Sequence, residues 1–133
     1  TFAKEMLDVA SQLSLRGHVC HLPDEIEKYA TGELKIVGDR TGSKRKIEAD
    51  LINKHYYKIK DSDAILVLNC DKKGVKNYIG GNSFLEMGFA YVLEKKIFLL
   101  NEVPDSGFIK EEVLLRKIWS ISSTEKRRQN SQR

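Results

Sequence analysis

The chain has 133 residues, 41% of them hydrophobic and 32% charged, which suits one globular domain with one core and argues for no second. Its longest apolar runs, residues 64–68 and 97–100, are far too short to cross a bilayer, and no charged-then-apolar leader opens it, so a cytoplasmic protein with no membrane partner is expected. The net charge of +4 is concentrated partly in Lys126, Arg127, Arg128 and Arg133, and no aromatic and basic interleaving accompanies it, which speaks against a nucleic-acid partner.

Phe2, Met6, Val9 and Leu13 follow one another at spacings of four, three and four, one stripe of a helix with Thr1 as its N-cap and Gly17 as its left-handed end. Residues 18–22 read as a short strand closed by Pro23, and residues 24–30 as one or two helical turns. Residues 32–46 hold three glycines and alternating charges and read as an excursion or lid. Within them GDRTGSK, residues 38–44, resembles a phosphate-binding P-loop only superficially. It has three residues between its glycines instead of four, and Ser43 precedes Lys44. A solvated basic loop is the plainer reading, with Arg40, Lys44 and Arg45 as possible phosphate contacts.

Ile47, Leu51, Ile52, His55, Tyr56 and Ile59 trace an amphipathic helix ending near Lys60, and residues 64–68 a strand buried on both faces. A loop over residues 70–81 leads into an apolar helix from about Ser83 to Glu94. Residues 97–100 form a second apolar strand, residues 104–107 a turn, Ile109, Val113 and Leu114 a helix, and residues 118–121 a last strand. Trp119 is expected in the core. Cys20 and Cys70 lie beside short apolar runs, outside any CxxC or zinc spacing, and read as buried reduced thiols. Neither a metal nor a cofactor is expected. Strands alternating with helices imply a three-layer α/β sandwich with a parallel sheet. The domain takes in residues 1–123, with residues 124–133 a basic, disordered tail. The chain opens on a helix where such a sheet opens on a central strand, so it reads as lacking its first strand.

Ligands of open parallel sheets bind outside the carboxyl ends of the strands. Strand 64–68 delivers Asn69 and Asp71 to that edge, and Gly80, Gly81, Asn82 and Ser83 bring backbone N–H groups and a helix start to it. Glu86 follows as the one formal charge between residues 78 and 93. A carboxylate in such surroundings is paired, hydrogen-bonded or used. The competing structural reading is a capping box, in which Ser83 caps the helix and Glu86 reaches back to the cap's own N–H. Asp63 and His55 are, on position alone, more ordinary as satisfied structural groups.

The segment SDAILVLN, followed by YIGGNSFLEMGFAYVLEKKIFLL, resembles the nucleoside 2-deoxyribosyltransferase family and the related nucleotide N-glycosidases. The resemblance covers residues 62–100, and more loosely the first helix with Arg16-Gly17-His18 and Pro23. It implies a flavodoxin-like sheet, and a Gly-x-x-x-x-Glu-x-Gly-x-Ala-like element that here is Gly81-Asn-Ser-Phe-Leu-Glu86-Met-Gly88-Phe-Ala90, with Glu86 as nucleophile. It further implies that Asn82, Ser83 and the Gly80–Gly81 backbone bind the sugar or its 5-phosphate, with Asn69 and Asp71 near the base. A homodimer or higher homo-oligomer is implied as well. The family's sugar-binding carboxylate aligns with His55, a departure that bears on sugar choice or activity. The function expected is cleavage or transfer of the N-glycosidic bond of a nucleoside or nucleoside 5-monophosphate. The alternative is a nucleotide-binding or signalling module of the same fold without chemistry.

Overall fold

The computed structural model describes residues 2–33, 42–105, 109 and 118–121, residues 42–49 by their backbone alone. The chain forms two compact units, Thr1–His55 and Tyr56–Arg133, divided inside a helix.

In the first unit α1, Ala3–Leu15, presents Phe2, Met6, Val9 and Leu13 on its sheltered side, as their spacing requires. Phe2 occupies the N-cap position without a side-chain hydrogen bond, and Thr1 lies outside the described residues. The far end follows expectation. Gly17 adopts φ +87°, its N–H donates to the Ser14 carbonyl (3.0 Å), and the His18 N–H donates to the Leu13 carbonyl (3.1 Å). These two bonds make a Schellman cap.

Residues 18–22 form no strand, contrary to the reading of their pattern. An extended segment becomes a strand only when its backbone groups find a neighbour, and Val19 is 85% exposed here. Cys20 Sγ instead donates weakly to the Ala10 carbonyl at 3.9 Å, and both cysteines are free thiols. Helix α2, Ile26–Thr31, packs on α1 with Ile26 buried. It lies between Glu25 and Gly32, both left-handed. Lys28 donates to Glu25 at 2.7 Å, and this hydrogen bond, reinforced by the carboxylate charge, raises the ammonium pKa above its ordinary value. Most of the glycine-rich excursion, including the first four residues of GDRTGSK, lies outside the described residues; its end, from Gly42, is already helical. Helix α3, Gly42–Lys60, thus starts five residues before the position its apolar pattern marks.

In the second unit the last turn of α3 precedes β1, Ala64–Val67. Helix α4, Gly81–Val92, follows, then β2, Lys96–Leu99, and β3, Ile118–Ser120. The strands form one parallel sheet in the order β1-β2-β3, with Val67 beside Leu99 and Phe98 beside Trp119. The mixed α/β composition and the parallel pairing are as expected, with an apolar crossover helix joining parallel neighbours. Helix α4 packs on β1 and β2, and its Met87 and Ala90 are fully buried with Ile97 and Leu99. Ile59, Val67, Ile79 and Ile109 complete the core, and Tyr56 meets Phe89 edge-on at 5.4 Å. Ile109 is helical, as expected, while the rest of its segment and the tail 124–133 lie outside the described residues.

Trp119 corrects the expectation that it is core. It is 64% exposed, because alternation along β3 turns Ile118 toward the core cluster and sends the intervening indole the other way. Among the described residues no helix is long and apolar enough to cross a membrane.

Candidate functional site

The residues singled out around Glu86 follow one another along β1, its loop and α4, all within the second unit. Strand β1 ends two residues before Asn69, whose side chain is fully buried. Its Nδ2 donates to the carbonyls of Asn101 (3.2 Å) and Glu102 (2.9 Å), and its Oδ1 accepts from the Asn101 N–H (2.8 Å). Both amide hydrogens and the amide oxygen are thereby used inside the protein. Asn101 Nδ2 returns a bond to the Asn69 carbonyl at 3.1 Å. Asn69 therefore braces the ends of two strands.

The loop after it is closed twice at its base. The Tyr78 N–H donates to the Cys70 carbonyl (3.1 Å), and the Asn77 N–H donates to Asp71 Oδ1 (2.8 Å). Its tip is a two-residue hairpin in which Lys72 and Val75 exchange backbone bonds of 3.0 and 2.9 Å around Lys73 (φ +50°) and Gly74 (φ +77°). Two consecutive left-handed residues make this a type I′ turn. The Lys72 ammonium lies 5.3 Å from the centre of the Tyr78 ring, a cation–π distance. Asp71, exposed and holding Asn77, is thus part of the loop's own framework.

Gly80 is the N-cap of α4, in extended backbone geometry. A Cβ there would meet the Tyr78 ring at 3.4 Å, an ordinary contact, so the ring lies beside the helix entrance. The first helical bond runs from the Phe84 N–H to the Gly80 carbonyl (2.9 Å). The N–H groups of Gly81, Asn82 and Ser83 consequently have no acceptor within the helix. Gly81 and Asn82 are exposed, and Ser83 is half-buried.

Helix α4 starts two residues earlier than expected, which overturns the capping-box reading. Ser83 is the third helical residue and Gly80 holds the cap position, so Ser83 and Glu86 do not stand at the N-cap and N3 places that a capping box requires. Glu86 is half-buried, in the second turn, immediately before the fully buried Met87. Gly88 lies within the same helix, and a Cβ on it would meet no atom within 4 Å. A glycine inside a helix costs about 1 kcal/mol relative to alanine. Packing among the described residues gives no reason for it.

His55 is the last residue of the first unit, half-buried on α3. Asp63 is exposed at the turn before β1. Among the described residues no three His, Cys, Asp or Glu side chains gather so as to hold a metal ion.

Asn101 was not singled out by its sequence, although a signal existed. Ile65-Leu-Val-Leu-Asn69 and Ile97-Phe-Leu-Leu-Asn101 are near copies, and the β1–β2 register places their asparagines at the same level. Compared with known proteins, the chain matches no protein-family model, and no curated protein or solved structure matches it significantly.

Proposed function

We propose that this protein breaks or exchanges the N-glycosidic bond of a nucleoside or nucleoside 5-monophosphate, with Glu86 as nucleophile, on a flavodoxin-like α/β fold. The observation that carries the reading is the setting of Glu86: the one charge between residues 78 and 93, half-buried on α4 beside a core methionine. The resemblance of residues 62–100 to nucleoside 2-deoxyribosyltransferases supports it, as does the glycine pair at the start of that helix.

Glu86 would act on the anomeric carbon as the bond to the base breaks. The bonding electrons leave with the base, which takes up a proton, and the carboxylate traps the oxocarbenium-like sugar as an ester. Water then releases the sugar and regenerates the carboxylate; a second base in its place completes a transfer. Backbone N–H groups at Gly81, Asn82 and Ser83 suit sugar oxygens or a 5-phosphate, since a helix start favours negative charge. The buried amide of Asn69 is already in use, so its role in this scheme is to shape the edge. A homodimer that completes the site is part of the proposal, by resemblance.

The test is base release, followed by chromatography, from a panel of ribo- and deoxyribonucleosides and their 5-monophosphates, with Glu86→Gln alongside. Release that disappears in Glu86→Gln is the expected result. Nucleotide binding without release from any member would favour a second reading, a binding or signalling module. The observation behind that reading is His55 at the position of the family's sugar-binding carboxylate.

A further inference from the structure

We infer that Asn101 is a positioning residue for the loop at the carboxyl end of β1, an assignment that rests on the reading of that edge as the substrate site. Its side chain reaches the loop through one carbonyl. Asn101 Nδ2 donates to the Asn69 carbonyl (3.1 Å), fixing the direction of the peptide that joins Asn69 to Cys70. The loop hung on that peptide is a closed ring. Tyr78 N–H to Cys70 carbonyl and Asn77 N–H to Asp71 Oδ1 seal its base, and the Lys73–Gly74 turn seals its tip. A ring held in this way moves as one body about its attachments. One attachment is the Asn69–Asn101 brace and the other is Ile79, buried in the core.

The ring's outgoing end is Tyr78, whose side chain lies beside Gly80 at the entrance of α4, 3.4 Å from where a Cβ on that glycine would stand. Turning the peptide after Asn69 therefore shifts the ring where it meets the glycine pair that would hold the sugar or phosphate. Glu86 follows less, because Met87 and Ala90 anchor α4 in the core. Loss of the Asn101 side chain should accordingly weaken substrate binding and leave the chemical step nearly intact.

The experiment compares Asn101→Ala and Asn101→Asp in the whole protein with Ile97→Val, a core change near the start of β2, four residues before Asn101. Asparagine and aspartate are alike in size, but at neutral pH aspartate offers the Asn69 carbonyl no donor. Expected for both Asn101 variants is a KM raised about fivefold with kcat within about twofold of wild type, the size of one lost hydrogen bond. Amide exchange should also quicken across residues 70–78 while Ile97–Leu99 stays protected. Ile97→Val should leave KM unchanged even where it lowers the melting temperature as much. An unchanged KM in the Asn101 variants, an equal rise in Ile97→Val, or faster exchange confined to residue 101 would each overturn the inference. If the wild-type protein neither releases base nor binds any nucleotide, the site reading fails and the positioning role falls with it. The exchange data would then still report whether brace and loop are coupled.

Discussion

Asn69 and Asn101 stand at one level just past the ends of two adjoining parallel strands, and each holds the other's main chain. Asn69 Oδ1 accepts the Asn101 N–H at 2.8 Å while Asn101 Nδ2 donates to the Asn69 carbonyl at 3.1 Å. Strand ends need such devices, because their last carbonyls and N–H groups leave the ladder while still out of contact with water. Replacing Asn69 by leucine keeps the branching of the side chain and removes three bonds, orphaning two carbonyls and an N–H. The expected cost is about 3 kcal/mol. Urea unfolding should show a lower midpoint at an unchanged slope.

Gly17 and Gly88 make opposite predictions. Gly17 ends α1 at φ +87°, so Gly17→Ala should destabilise by about 1 kcal/mol. Gly88 lies inside a helix with open space where a Cβ would go, so Gly88→Ala should stabilise by up to about 1 kcal/mol. Thermal melts of both variants check this. A Gly88→Ala protein that melts higher yet binds nucleotide more weakly would show that this space is for the ligand.

Lys73 spends a left-handed conformation, φ +50°, at the first central position of the type I′ hairpin. Asparagine and glycine adopt that geometry more readily than lysine. Lys73→Asn should therefore raise stability by about 0.5 to 1 kcal/mol, read as an upward shift in the unfolding midpoint.

The parallel core strands and the apolar crossover helix were legible because their side chains repeat the environment they occupy. Residues 64–67 and 97–99 are apolar throughout, and both strands contribute to the core beneath α4. The strand expected at residues 18–22 was not legible in the same way, since alternation describes a segment and says nothing of its partner. Trp119 misled for a related reason: indole is usually sheltered, but its orientation is set by the register of β3. The start of α4 was misplaced because Ser83 resembles a cap, whereas the backbone at Gly80 already has the extended geometry that begins the helix. Asn101 escaped attention because its work is done on a main-chain atom of another strand, a relationship that spacing within one segment cannot express.

The exposed indole yields its own prediction. Trp119→Ser should change stability by about 0.5 kcal/mol or less, whereas Ile97→Ala, at a fully buried position, should cost about 3 kcal/mol. Parallel denaturant titrations distinguish the two.

The most direct test of the central claim is the intact mass of the protein quenched during turnover with the best nucleoside or nucleotide of the panel. A glycosyl adduct that maps to the peptide containing Glu86, and that vanishes together with base release in a folded Glu86→Gln protein, is the predicted result. Base release continuing undiminished in Glu86→Gln would contradict it and move the chemistry to another residue.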